Sequence, residues 1–243
     1  CRGRIDDIIG FIASGYLEHD IISAVGQENH DRMFDGELSL EERWPIFEEA
    51  YKAVRFTGYA RMNRYAMEHV FGSSDVTLEN LKAWSERMPD YSDPGQFEAL
   101  MEAAHIAARV TDNFAPIGKI VDGTYEALPK QHLAIALPQF HNVHTLDHIT
   151  RLTRHAKVNV TSLDEYLETC RFIFERWKER GAVCFKDQSA YERSLNYGMP
   201  SKAEAEAVFN RILTEPQTKV EWGRDAHPLS NFLMHAFMRM ARD

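Results

Sequence analysis

The sequence predicts an α/β fold in which a helical front half precedes a back half built of alternating strands and helices around a parallel sheet. Two observations carry this. From Ile5 to Ala104 apolar residues recur at helical spacing, and no run reads convincingly as a strand. From His105 onward three short apolar runs, bounded by turn residues, are separated by helical stretches. Strands that alternate with helices pair in parallel, in a sheet either open or closed into a barrel. The expected division is therefore residues 1–104 and 105–243.

Taken in order, Ser39-Leu-Glu-Glu42 is a capping box that starts a helix. Arg61–Phe71 and Leu78–Met88 carry helix-spaced apolar residues, and Gly72–Asp75 and Met88–Gly95 have loop chemistry. The three expected strands are His105–Thr111, His132–Pro138 and Gly181–Lys186. Between the last two, Ser162-x-x-Glu165 is another capping box, starting a helix whose Leu163, Tyr166, Cys170, Ile173 and Trp177 form one apolar face. Gly181 suits the position just past that helix. Ser201-x-x-Glu204 starts a further helix to about Leu213, and Asn231–Ala241 is the last.

Composition narrows the function. The chain has 243 residues and a net charge of −9, with no dominating Lys/Arg run, so nucleic-acid and anionic-membrane partners are not expected. No stretch is long and apolar enough to span a bilayer, and no secretory signal is visible. Cys1, Cys170 and Cys184 include no C-x-x-C pair, which points to a reducing cytoplasm rather than a disulfide scaffold. The start at Cys1 and the last helix, which has no closing turn, lead us to expect a protein that extends beyond these residues. No G-x-G-x-x-G or P-loop follows any strand, which removes the usual nucleotide sites.

In parallel α/β folds the active site lies at the carboxyl ends of the strands. There the sequence places Asp112 and Asn113, then Gln139 and His141, then Lys186, Asp187 and Gln188. Lys186 follows four residues that read as buried, and an amine in such a place needs a partner or a function. It is a candidate base, Schiff-base former or, once carbamylated, metal ligand; the alternative is a lysine that pairs with Asp187 or reaches water. Tyr191 and Arg193, on the following loop, are candidates to orient a substrate carboxylate, with His141 beside them. The plainer alternative is an arginine paired with Glu192 and a tyrosine packed on a helix. His141, His144 and His148 form H-x-x-H-x-x-x-H, a possible metal pair or part of a basic solvated face with Arg151, Arg154, His155 and Lys157.

The segment Cys184-Phe-Lys-Asp-Gln-Ser-Ala-Tyr-Glu-Arg-Ser-Leu195 resembles the lysine-bearing fourth strand and following loop of the amidohydrolase superfamily, in its uronate-isomerase-like branch. Trp44-Pro-Ile-Phe47 and Arg55-Phe-Thr-Gly-Tyr-Ala-Arg61 are similar to a helical insertion of the same branch. The resemblance implies a partial (β/α)8 TIM-type barrel, the strands at His105, His132 and Ala182 being barrel strands two to four. It also implies a divalent metal such as zinc, with Lys186 at the family's strand-four lysine position. No H-x-H occurs here, so the other expected ligands would lie outside the chain. The expected function is metal-dependent hydrolysis of a small polar substrate by a cytoplasmic enzyme, possible as a homo-oligomer, with these residues alone inactive. A uronate-isomerase-like sugar-acid isomerase and a non-catalytic α/β module are the alternatives.

Overall fold

The computed structural model describes residues 7–13, 15–88, 90, 93–112, 116–215, 217, 220 and 225–242. Cys1 and Asn113, both singled out above, lie outside the described residues. The chain is α/β and mostly helical, and it forms two compact units, residues 1–92 and 93–243.

In the first unit the described residues form α1 (Ile8–Ala13), α2 (Leu17–Met33), α3 (Leu40–Val54), α4 (Gly58–Phe71) and α5 (Leu78–Ser85). The local signals act as expected. Ser39 and Glu42 make both halves of the capping box on α3. Thr57 and Thr77 cap α4 and α5, and Gly72, at φ 81°, closes α4 in the left-handed region. Gly26, also at φ 81°, breaks α2. The apolar faces meet in a core that includes Ile9, Ile12, Leu17, Phe47, Met67 and Leu81, with Phe71 stacked on Trp84 at 5.1 Å. The buried Arg43 is ion-paired with Asp7.

The second unit runs α6 (Pro94–Ala103), β1 (Arg109–Thr111), α7 (Ile117–Val121), β2 (Gln131–Ala136), α8 (Pro138–His141), α9 (Leu146–Ala156), α10 (Leu163–Glu179) and β3 (Ala182–Lys186). A 3-10 turn at Ser189–Tyr191 leads to α11 (Lys202–Thr214) and α12 (His227–Arg242). The unit begins before α6, ahead of the expected boundary at 104/105. Its reason is packing: Met101 is buried, and the Arg109 guanidinium sits 4.0 Å over the Phe97 ring.

The sheet has the order β1-β2-β3, all parallel, with Val110 opposite His132 and Ile135 opposite Phe185. Among the described residues these three strands do not close into a barrel. The first strand is shorter than expected. His105 takes φ 56°, and the Ile106 N–H donates to the Met101 carbonyl at 2.8 Å, so the end of α6 occupies residues read as strand. β2 stops at Ala136 because Leu137 already has helical geometry, with Pro138 opening α8.

Alternation along β2 separates two faces. Leu133 and Ile135 enter one core with Ile120, Phe140, Tyr166, Trp177, Phe209 and Phe237, to which α7 to α12 all contribute. His132, Ala134 and Ala136 point to the other face, where Cys184 and Lys186 stand in register with the two alanines. β3 corrects an expectation: residues 182–185 are not a buried run. Val183 is 57% exposed and Cys184 is exposed, because β3 is an edge strand with helices on one face. Only Ala182 and Phe185 turn toward the core. Among the described residues no helix is long and apolar enough to cross a membrane.

Candidate active site

The carboxyl ends of the three strands gather polar groups into three settings, and the expected site residues divide among them.

The first lies on the open face. Lys186 Nζ is 3.6 Å from Asp112 Oδ2, and Gln188 Nε2 donates to the same oxygen at 3.3 Å, so the ends of β1 and β3 are joined across β2. Both charged side chains are about half exposed, at 53% and 50%. The partner of Lys186 is thus Asp112 rather than Asp187. Lys186 ends β3 on the open face, whereas Asp187, just past the strand, turns inward to His141 and Tyr197. The Lys186 amine is open to solvent and to carbon dioxide. A carbamylated Lys186 beside Asp112 would present two carboxylate-type donors. Among the described residues, however, no group of three His, Cys, Asp or Glu side chains is placed to hold a metal ion. The donors present do not complete a metal site.

The second setting is closed. Asp187 Oδ1 accepts from His141 Nε2 at 3.2 Å and from the Ser189 hydroxyl at 2.6 Å, and Oδ2 accepts from the Tyr197 hydroxyl at 2.6 Å. Burial alone would raise the Asp187 pKa, but these three hydrogen bonds outweigh it and hold the carboxyl well below the usual range. Burial and the bond to Asp187 push the Tyr197 phenol up to about 12. On the other side of the imidazole, Ser230 Oγ lies 3.3 Å from His141 Nδ1, and Arg193 donates to Ser230 Oγ at 3.2 Å and to Asn231 Oδ1 at 2.6 Å. A continuous donor chain therefore runs from Arg193 through Ser230 and His141 to Asp187.

Asp187, His141 and Ser230 share the connectivity of a nucleophilic triad. Their burial argues against that use: His141 and Ser230 are 0% exposed, so no substrate reaches the hydroxyl. The network instead ties the loop after β3 to α8 and α12. His141, expected to face substrate, is a core residue with both ring nitrogens engaged. Arg193 is drawn into the same network and stacks 4.4 Å over the Tyr197 ring rather than pairing with Glu192. Tyr191 is 81% exposed and free to meet a ligand.

The third setting is a cleft of about 860 Å³ at the end of β2, bordered by Gln139, Asn142, His144, His148, Arg151 and Glu192. The His144 and His148 rings lie 4.2 Å apart, so the spacing read from the sequence does bring them together. Burial, then the neighbouring His144 and Arg151, lower the His148 pKa, and its Nδ1 lies 2.6 Å from Thr145 Oγ1. Gln139 Nε2 and Asn142 Oδ1 are buried without a hydrogen-bond partner, which suits a polar occupant.

Tyr197, Ser189 and Ser230 escape a reading of the sequence. They come from a loop, a 3-10 turn and α12, and no periodicity links them to His141. No family model matches the chain, and no curated protein matches it.

Proposed function

We propose that this chain is the part of an amidohydrolase-type (β/α)8 barrel that holds strands two to four, from a metal-dependent hydrolase acting on a small polar molecule at the strand ends. One observation carries the reading: three consecutive strands pair in parallel and in sequential order, with the helices of their core gathered on one face. A barrel wall would have this arrangement, which supports the reading. A doubly wound sheet has helices on both faces and reverses its strand order. Lys186 and Asp112 stand on the face that a barrel would enclose, and the polar cleft beside α9 opens at the same strand ends.

The residues here contribute positioning. The closed Asp187–His141–Ser230 network fixes the loop that carries Tyr191, and Tyr191 is exposed for substrate contact. Zinc is the metal this reading implies; the donors present do not complete its site, so no chemical step is assigned to it. The isomerase alternative has less support, because the Arg193 fork that would grip a sugar acid is engaged by Ser230 and Asn231.

The test is Lys186→Ala in the enzyme as encoded by its gene. Metal content and hydrolytic turnover should fall, turnover by about 100-fold or more, the usual scale for losing a group at the reacting centre. Stability should change by less than about 1 kcal/mol, because the Lys186–Asp112 pair is solvent-exposed. Wild-type metal content together with wild-type turnover would reduce Lys186 to a structural lysine.

A further inference from the structure

The first unit carries a cleft that the strand-end reading leaves unused. It measures about 320 Å³ and is bordered by residues of α3 and α4, of the turn between them and of the segment that follows α4. That volume is at the small end of ligand pockets, roughly 300–1,000 Å³, and suits a small molecule.

The decisive group is Tyr51. Its side chain borders the cleft, the residue is 7% exposed, and its hydroxyl has no hydrogen-bond partner. A buried hydroxyl without an acceptor is an unfavourable arrangement that a bound acceptor relieves. Burial raises the Tyr51 pKa against the opposing charges of Arg64 and Arg55, so the hydroxyl keeps its proton and donates. Both arginines border the same cleft. Lys52 is paired with Glu48 at 2.8 Å, so the two arginines against the single remaining carboxylate of the lining, Asp75, give the cleft a positive excess in a chain of net charge −9. The apolar part of the lining is Trp44, Val76 and Phe56, the last 80% exposed with the Arg55 guanidinium 4.8 Å over its ring. An adjoining cleft of about 270 Å³ shares Arg64 and Ser74.

We propose that this cleft binds a small carboxylate with a flat apolar body. Tyr51 and the arginines hold the carboxylate, and Trp44 and Phe56 hold the body. Guanidinium recognises carboxylates by charge-assisted hydrogen bonds, and its planar face packs on rings.

The test is calorimetric titration of the full chain with benzoate, with neutral benzamide and inorganic phosphate as comparisons. Benzoate should bind saturably, with benzamide and phosphate at least about tenfold weaker, the scale of one charge-assisted hydrogen bond. Tyr51→Phe deletes only the unpartnered hydroxyl, and Arg64→Met keeps the aliphatic stem. Each should weaken benzoate by about tenfold or more, while Tyr51→Phe leaves the melting temperature of the unliganded protein unchanged or raises it. Lys186→Ala should leave benzoate binding intact, which separates this site from the strand ends. Absence of saturable binding up to about 10 mM, affinities below the weak non-covalent range, overturns the proposal. So does benzamide binding as well as benzoate, phosphate binding more tightly than benzoate, or benzoate binding that neither cleft variant alters.

Discussion

Asp187 shows how much one side chain can hold in place. It accepts hydrogen bonds from His141, Ser189 and Tyr197, and its pKa in the fold is depressed. A depressed carboxyl stabilises the folded state at every pH above its unfolded value, about 3.9, and that contribution fades as pH falls toward the folded value. Asp187→Asn should therefore cost about 1–3 kcal/mol at neutral pH, the scale of a broken buried hydrogen-bond network. The gap from wild type should shrink steadily below about pH 4. Urea unfolding across that range reads it; a gap that stays constant down to about pH 3 would mean the depressed pKa contributes nothing to stability. The sequence makes Lys186, Asp187 and His141 legible as strand-end residues, since each follows an apolar run. It does not show which way each points. His141 turns inward because a serine on α12 and an aspartate after β3 meet it there, and such distant partners leave no periodic signal.

Three S-x-x-E patterns looked alike as text, and the elements they start differ. Ser39 and Ser201 form full capping boxes with Glu42 and Glu204. Ser162 accepts from the Glu165 N–H, but the Glu165 carboxylate turns instead to the Thr161 N–H at 2.7 Å and the Thr161 hydroxyl at 2.8 Å. The pattern was readable; the competing threonine one residue earlier was not weighed by it. Ser201→Ala should cost about 1 kcal/mol. A double-mutant cycle should find coupling between Ser201 and Glu204, and close to none between Ser162 and Glu165. Equal coupling in both pairs would contradict this account. The strands teach the same lesson. Three were expected and three pair in parallel, yet β1 lost its first half to the end of α6, and β3 proved an edge. Hydrophobic runs reveal that a strand exists, whereas its exposure depends on neighbours in space.

At the scale of the molecule, two apolar cores form, and the helical and mixed halves were visible in the change of pattern along the chain. The sheet itself is narrow. β1 and β3 each pair on one side only among the described residues, and Val110 and Val183 are both 57% exposed. Unpaired apolar edges favour association. The chain should show an apparent mass that rises with concentration in light scattering, and Val183→Lys should suppress that rise. A mass independent of concentration in the unaltered chain would contradict it. The same narrowness sets a clock for deuterium uptake. β2 pairs with β1 on one flank and β3 on the other, and on the β3 side the Leu133 amide donates to the Gly181 carbonyl at 3.1 Å. Its protons should be among the last to exchange, while the amides on the outer margins of β1 and β3 exchange early. The central strand would then be the slowest timepiece in the second unit, ticking at the rate of its global unfolding.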